Sequence, residues 1–206
     1  MKARLDNFIV RQCYDDWTVN IFVTIILLVI ALVVFGTFAY AGWRGAPWVP
    51  TRASDVVRFK KIARIKPGQK VYDLGCGDGR LLVAAAELGA QAKGYEVSLF
   101  PYLLARLKLL FRRLRPSRNI SQNLPGKARV FYRDFWFANL HDADLVYFFL
   151  MPKIYPRLKA KLEHELKPGA RVIAYVWAIP GWQPTIVDQV PNHPKLFVYE
   201  PFTKNP

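Results

Sequence analysis

The run Val71-Tyr72-Asp73-Leu74-Gly75-Cys76-Gly77-Asp78-Gly79-Arg80 has the residue types and spacing to cradle a small ligand. An apolar strand leads through a glycine-rich turn into an Ala/Leu helix over residues 81–88. Such a junction brings backbone N–H groups and a helix N-terminus against whatever is bound. The spacing of Gly75, Gly77 and Gly79 differs from the G-x-G-x-x-G of dinucleotide-binding folds. Asp73 stands two residues before the first glycine, at the carboxyl end of the strand. Gly94-Tyr95-Glu96 then closes the second strand and sets a carboxylate where a ribose diol is read. A lone G-x-G-x-G is weak; the succession of strand, glycine turn, helix, strand and acid is specific.

The elements that must position these groups follow from periodicity and breakers. Ser54-Asp55 is a candidate cap for a short helix over 56–65, and Lys66-Pro67-Gly68-Gln69 is a turn into strand 70–74. Gly89 stops the helix 81–88, and a strand follows over 92–96. Phe100, Leu103, Leu104, Leu107, Phe111 and Leu114 fall at helical spacing over 100–114, the crossover helix a parallel sheet requires at that point. Its basic residues could still touch lipid headgroups. A loop over 115–126 precedes strand 128–132, strand 144–149, helix 153–166 and strand 170–177. Segments 185–189 and 196–199 read as a closing hairpin. Alternating strands and helices predict an α/β fold with a doubly wound, mostly parallel sheet and a C-terminal antiparallel hairpin.

Residues 17–43 carry no charge, and 21–40 are almost wholly apolar, enough to span a bilayer as one helix. Trp17 at one end, with Tyr40 and Trp43 at the other, suits an interfacial aromatic belt. Ala39-Tyr40-Ala41 resembles a cleavage site, but the run is too long for a signal peptide, and no positive excess precedes it. The expected organisation is a short tail (1–18), a transmembrane helix (19–42), a juxtamembrane linker with a short helix (43–66) and an enzymatic domain (67–206). The net charge is +15, yet Lys2, Arg4 and Arg11 are balanced by Asp6, Asp15 and Asp16, so the excess lies beyond the apolar run. Arg44, Arg52, Arg58, Lys60, Lys61 and Arg64 follow that run, which puts the larger part in the cytoplasm. Cys13 and Cys76 cannot form a disulfide framework, and the histidines have no metal spacing, so no metal is expected.

Landmarks beyond the glycine turn are Pro47-Trp48-Val49-Pro50-Thr51, Asp134-Phe135-Trp136 and Pro180-Gly181-Trp182-Gln183-Pro184. With these, residues 46–187 resemble membrane-anchored class I methyltransferases. Eukaryotic members of that family are protein-lysine methyltransferases acting on the adenine nucleotide translocase and the ATP synthase c-subunit. The resemblance implies a Rossmann-like class I methyltransferase domain preceded by one transmembrane helix, with S-adenosyl-L-methionine as cofactor. It implies cofactor contacts from Asp73, Gly75, Gly77, Asp78, Gly79, Tyr95, Glu96, Asp134 and Phe135. Glu96 would hold the ribose hydroxyls and Asp73 would lie near the amino end of the methionine portion. Asp134 would accept from the adenine amino group, with Phe135 or Tyr95 packed on the ring. Thr51, Leu150, Met151 and Pro152 are the expected substrate contacts.

Methyl transfer from a sulfonium is an in-line displacement that needs mainly alignment, so a neutral amine requires no strong base. No catalytic dyad is evident. Leu150-Met151-Pro152 replaces the Asn/Asp-Pro-Pro-aromatic motif of methyltransferases acting on nucleic-acid bases and glutamine. The chain departs from the family at Phe137 and Lys153, so the acceptor stays open. Three readings stand: a lysine methyltransferase for a protein at the membrane; an enzyme for a lipid or quinone; and a catalytically idle, membrane-tethered module binding RNA or anionic lipid. Residues 97–133, with nine basic side chains and no acidic one, sustain the third, although nucleic acid is not the expected partner.

Overall fold

The computed structural model describes residues 2–45, 47–114 and 126–200. The chain divides into two units, Met1–Thr37 and Phe38–Pro206, and the architecture below belongs to the second. Helix α1, Lys2–Trp43, is continuous through residues expected to be a tail, and its stretch Val19–Trp43 is long and apolar enough to cross a membrane. Its last turns belong to the larger unit, where Ala41 is buried.

The sheet has seven strands: β1 (Lys70–Leu74), β2 (Gln91–Glu96), β3 (Lys127–Tyr132), β4 (Leu145–Phe148), β5 (Arg171–Tyr175), β6 (Ile186–Asp188) and β7 (Leu196–Tyr199). Their order is β3-β2-β1-β4-β5-β7-β6, parallel from β3 to β5, with β7 antiparallel to both neighbours. The closing hairpin therefore exists, and its second strand is the one inserted beside β5. Chain order reverses between β1 and β4, and the crevice at their carboxyl ends is where such sheets bind ligands.

Burial explains the strand sequences. Every residue of β4 is buried, and successive side chains point to opposite faces. Tyr72, Leu74, Val146, Phe148 and Val172 join one core with Leu158 and Leu162 of α5 (Tyr155–Glu165). Val71, Leu145, Tyr147, Ile173 and Tyr175 join the other, under α2 (Ala53–Ile62) and α3 (Arg80–Glu87). The crossover helix α4, Leu99–Leu114, buries Pro101 and Ala105 toward the sheet.

Four expectations need revision. Helix α2 starts at Ala53 rather than 56, and Arg52 in the capping position makes no side-chain cap. Asp55 is no cap either: its buried carboxylate accepts from Tyr175 Oη (2.6 Å) and Arg58 Nη1 (2.8 Å) and pairs with His193 Nδ1 (2.8 Å). The helix after β4 begins as a 3-10 turn, Pro152–Ile154, because Pro156 at the second position of α5 lacks the N–H to extend it backward. Strand β5 stops at Tyr175, since Val176 has φ +77°, a conformation costly for a β-branched residue. The loop expected over 115–126 lies outside the described residues except for Gly126.

Candidate active site

The glycine turn is built on left-handed backbone, with φ +83° at Gly75, +54° at Gly77 and +73° at Gly79. Only glycine holds these angles cheaply. The turn is bound to the end of β2: the N–H groups of Gly75 and Cys76 both donate to the Tyr95 carbonyl at 3.0 Å. Gly77 N–H donates to Glu96 Oε2 at 2.9 Å.

Glu96 is buried, and its Oε1 accepts from the N–H groups of Val97 (3.0 Å) and Ser98 (2.7 Å). A carboxylate has about four acceptor positions, so three are taken and one remains. Burial raises the Glu96 pKa, and those N–H donors offset only part of the rise. Asp73, also buried, has no donor among the described residues. Burial holds it well above the usual carboxylate range, and the charges of Glu96 and Asp78 add to the effect. Asp78 goes the other way. Burial opposes its ionisation, but hydrogen bonds and charges from Arg80 and Lys108 outweigh burial and bring it to about 2.

Residues 47–51 form a strap across the glycine turn. Arg80 grips it by donating to the Thr51 carbonyl while its Nη2 meets Asp78 Oδ2 at 2.6 Å. The Trp48 indole lies against Gly77, where an added Cβ would come within 2.9 Å of Nε1. Strap, turn, Asp73, Glu96, Tyr147 and Phe149 enclose a narrow cleft of about 30 Å³. Two buried polar atoms there, Trp48 Nε1 and Tyr147 Oη, lack hydrogen-bond partners among the described residues. Thr51 is the neighbour that eases Tyr147 toward ionisation, but burial dominates and pushes the phenol well up. Register places Tyr147 opposite Asp73 across β1 and β4.

Asp73, Gly75, Asp78, Glu96 and Thr51 thus converge on one cleft, with Gly77 beneath Trp48 and Gly79 capping α3. The other expected contacts stand apart from its lining. Tyr95 is sandwiched between Tyr72 (6.3 Å between ring centres) and Phe131 (5.4 Å). Phe135 and Leu150 are core residues, while Met151 and Pro152 are exposed, the Met151 N–H donating to the Gly45 carbonyl. Asp134, expected as an adenine acceptor, has protein partners on both oxygens. Oδ2 accepts from Arg44 Nε (2.9 Å), Arg44 Nη2 (2.7 Å) and Tyr40 Oη (3.4 Å), and Oδ1 accepts from Trp136 N–H (3.0 Å). Sequence reasoning missed Tyr147 outright and gave Arg80, the last residue of the glycine motif, no role. Trp48 was visible only as part of a landmark.

The cleft fits S-adenosylmethionine by the chemistry of its donor set. A carboxylate without a donor suits an ammonium, a free acceptor on Glu96 suits a hydroxyl, and glycine backbone permits close approach.

Comparison with known proteins agrees. A family model described as the ANTKMT methyltransferase domain matches residues 73–186. The chain is 36% identical over 146 residues to a protein-lysine N-methyltransferase of Saccharolobus islandicus, covering 70% of this chain and 84% of that one. It is 36% identical over 138 residues to the ATP synthase c-subunit lysine N-methyltransferase of Rattus norvegicus, covering 67% of this chain. The chain spans 59% of the length of that rat relative. A Salinibacter ruber RNA methyltransferase crystallised with S-adenosyl-L-homocysteine shares the fold at TM-score 0.64 and 24% identity, over 76% of this chain and 98% of that one. The glycine turn, the acid closing β2, the strand order and these matches converge: the chain belongs to the ANTKMT methyltransferase domain family and is a class I, S-adenosylmethionine-dependent methyltransferase.

Proposed function

We propose that this enzyme N-methylates a lysine side chain of a membrane or membrane-associated protein, held at the bilayer by the helix Val19–Trp43 with its domain on the cytoplasmic side. The observation that carries the reading is the pairing of a cofactor-type cleft, lined by no general-base dyad among the described residues, with a chain whose relatives are lysine N-methyltransferases. S-adenosylmethionine supplies an electrophilic methyl group on a sulfonium. Glu96 would accept from a ribose hydroxyl with its remaining lone pair, and Asp73 would pair with the ammonium of the amino-acid end. Gly75, Gly77 and Gly79 let the backbone approach closely, and Asp78 acts indirectly by fixing Arg80, which holds the strap. Tyr147 Oη and Thr51 complete the polar wall next to Asp73. Trp48 rests on Gly77 and would have to shift for a ligand to reach the backbone of the turn. The acceptor amine arrives neutral, so these residues align it rather than deprotonate it.

Chain order supports a membrane-side acceptor. The strap begins at Pro47, four residues after the apolar helix ends at Trp43, so the cleft stays near the bilayer of an anchored chain. The test transfers label from radioactive-methyl S-adenosylmethionine into host membranes, comparing wild type with Glu96→Ala. Label in protein bands that disappears with the variant supports the proposal. Label in the organic extract would reassign the acceptor to a lipid or quinone, and label in neither would return the basic surface to a binding role.

A further inference from the structure

Helix α4 has two apolar faces, and the sheet uses only one. Pro101 and Ala105 are buried, whereas Phe100, Leu103, Leu107, Leu110 and Phe111 are each 45–55% exposed. Their spacing of three, four, three and one residues puts these five on a single stripe, turned away from the buried one. Beside the stripe, a groove of about 530 Å³ runs between α4 and the edge strand β3, lined by Leu103, Leu107, Leu110, Phe131, Arg106 and Arg113 among others. No acidic residue occurs from 97 to 133. Monomeric soluble proteins rarely leave so large an apolar patch open.

We propose that this stripe docks onto the bilayer interface, sinking its apolar side chains among the acyl chains while its arginines meet anionic headgroups. The inference rests on the anchored reading above. Apolar residues flanked by cations are the signature of an interfacial helix. A second copy of the chain fits poorly, because two such stripes face to face would juxtapose arginines with no acid on the helix to pair them. Nucleic acid would satisfy the cations and leave the leucines in water. Position favours the membrane as well. Phe38, near the end of the apolar helix, contacts Trp48 (6.1 Å between ring centres), and Trp48 contacts Phe100, the first residue of the stripe (6.0 Å). The stripe therefore starts beside the last turns of α1, those that belong to the same unit.

The full chain would be reconstituted in nanodiscs of phosphatidylcholine with or without phosphatidylglycerol, in a Cys13→Ser background that leaves only the buried Cys76. A polarity-sensitive fluorophore on Leu107→Cys should shift to the blue and be quenched by lipids spin-labelled near the headgroup, more strongly with phosphatidylglycerol. Adding Arg106→Glu and Arg113→Glu should abolish the anionic-lipid increment. A probe on Leu28→Cys reports the span independently. Quenching at 28 without any at 107 would overturn the docking while leaving the anchor; quenching at neither would overturn both. Loss of the shift at 107 when each nanodisc holds a single copy would assign the stripe to self-association and overturn the proposal.

Discussion

Replacing Glu96 by Gln alters one atom in the part of the site where most contacts converge. In the wild-type chain Oε2 accepts from Gly77 N–H at 2.9 Å, while Oε1 accepts from Val97 and Ser98 at 3.0 and 2.7 Å. The amide has one acceptor oxygen. If it stays with Val97 and Ser98, its NH2 points at Gly77 N–H, and donor faces donor. Hydrogen bonds to a charged group contribute about 1.5–3 kcal/mol each, and those the amide keeps are worth less. Loss of the charged acceptor would also weaken the proposed ribose contact by about the same 1.5–3 kcal/mol, which is a 10- to 150-fold rise in Kd. Isothermal titration with S-adenosylhomocysteine measures the Kd, and thermal unfolding of the ligand-free protein measures the damage to the turn. A Kd within threefold of wild type alongside a lowered Tm would refute the reasoning, since Glu96 would then brace the turn without touching the ligand.

Protonation should act on cofactor affinity in the same direction as that substitution. Asp73 and Glu96 both have raised pKa values in the folded protein, so between their ordinary and raised values the native state binds more protons than the unfolded chain. Stability from these two groups therefore increases as pH falls through that window, while cofactor affinity decreases; calorimetry against pH reads both trends. Asp78, brought to about 2 from 3.8, contributes about 2 kcal/mol that is present above pH 3.8 and lost as pH falls through about 2, visible as acid unfolding that Asp78→Asn should blunt. Ligand binding should change intrinsic tryptophan fluorescence in wild type and much less in Trp48→Phe, because Trp48 must move; an equal change in both would place the reporter elsewhere. Arg58→Ala removes one partner of the fully buried Asp55 carboxylate and should cost about 3–5 kcal/mol in denaturant unfolding. A cost below about 1 kcal/mol would mean that Tyr175 and His193 suffice.

The glycine turn was legible because its information is local. Three glycines, an acid and an apolar strand constrain backbone angles within ten residues, and nothing distant can overrule them. Asp55 was misread for the opposite reason. Its position beside Ser54 looks like a cap, but its partners Tyr175 and His193 lie 120 and 138 residues away. The Asp134 partner is equally remote in sequence: Arg44, which binds its carboxylate, is 90 residues distant. Tyr147 looks like any residue of a buried strand until register sets it opposite Asp73. Periodicity found α4 and its apolar residues, yet could not tell that the helix carries one apolar face for the sheet and another left over.

In the anchored enzyme proposed above, the eight residues that follow Trp43, through Thr51, set a leash. Fully extended, they reach about 28 Å. An enzyme held this way searches for its acceptor in two dimensions, within a thin shell above the lipid. It needs little sequence recognition to be selective, because nearly every lysine in the cell is out of range. Selection then falls on how high above the bilayer a lysine stands, so the same catalytic domain released from its helix should become both slower on its natural target and less discriminating among soluble ones.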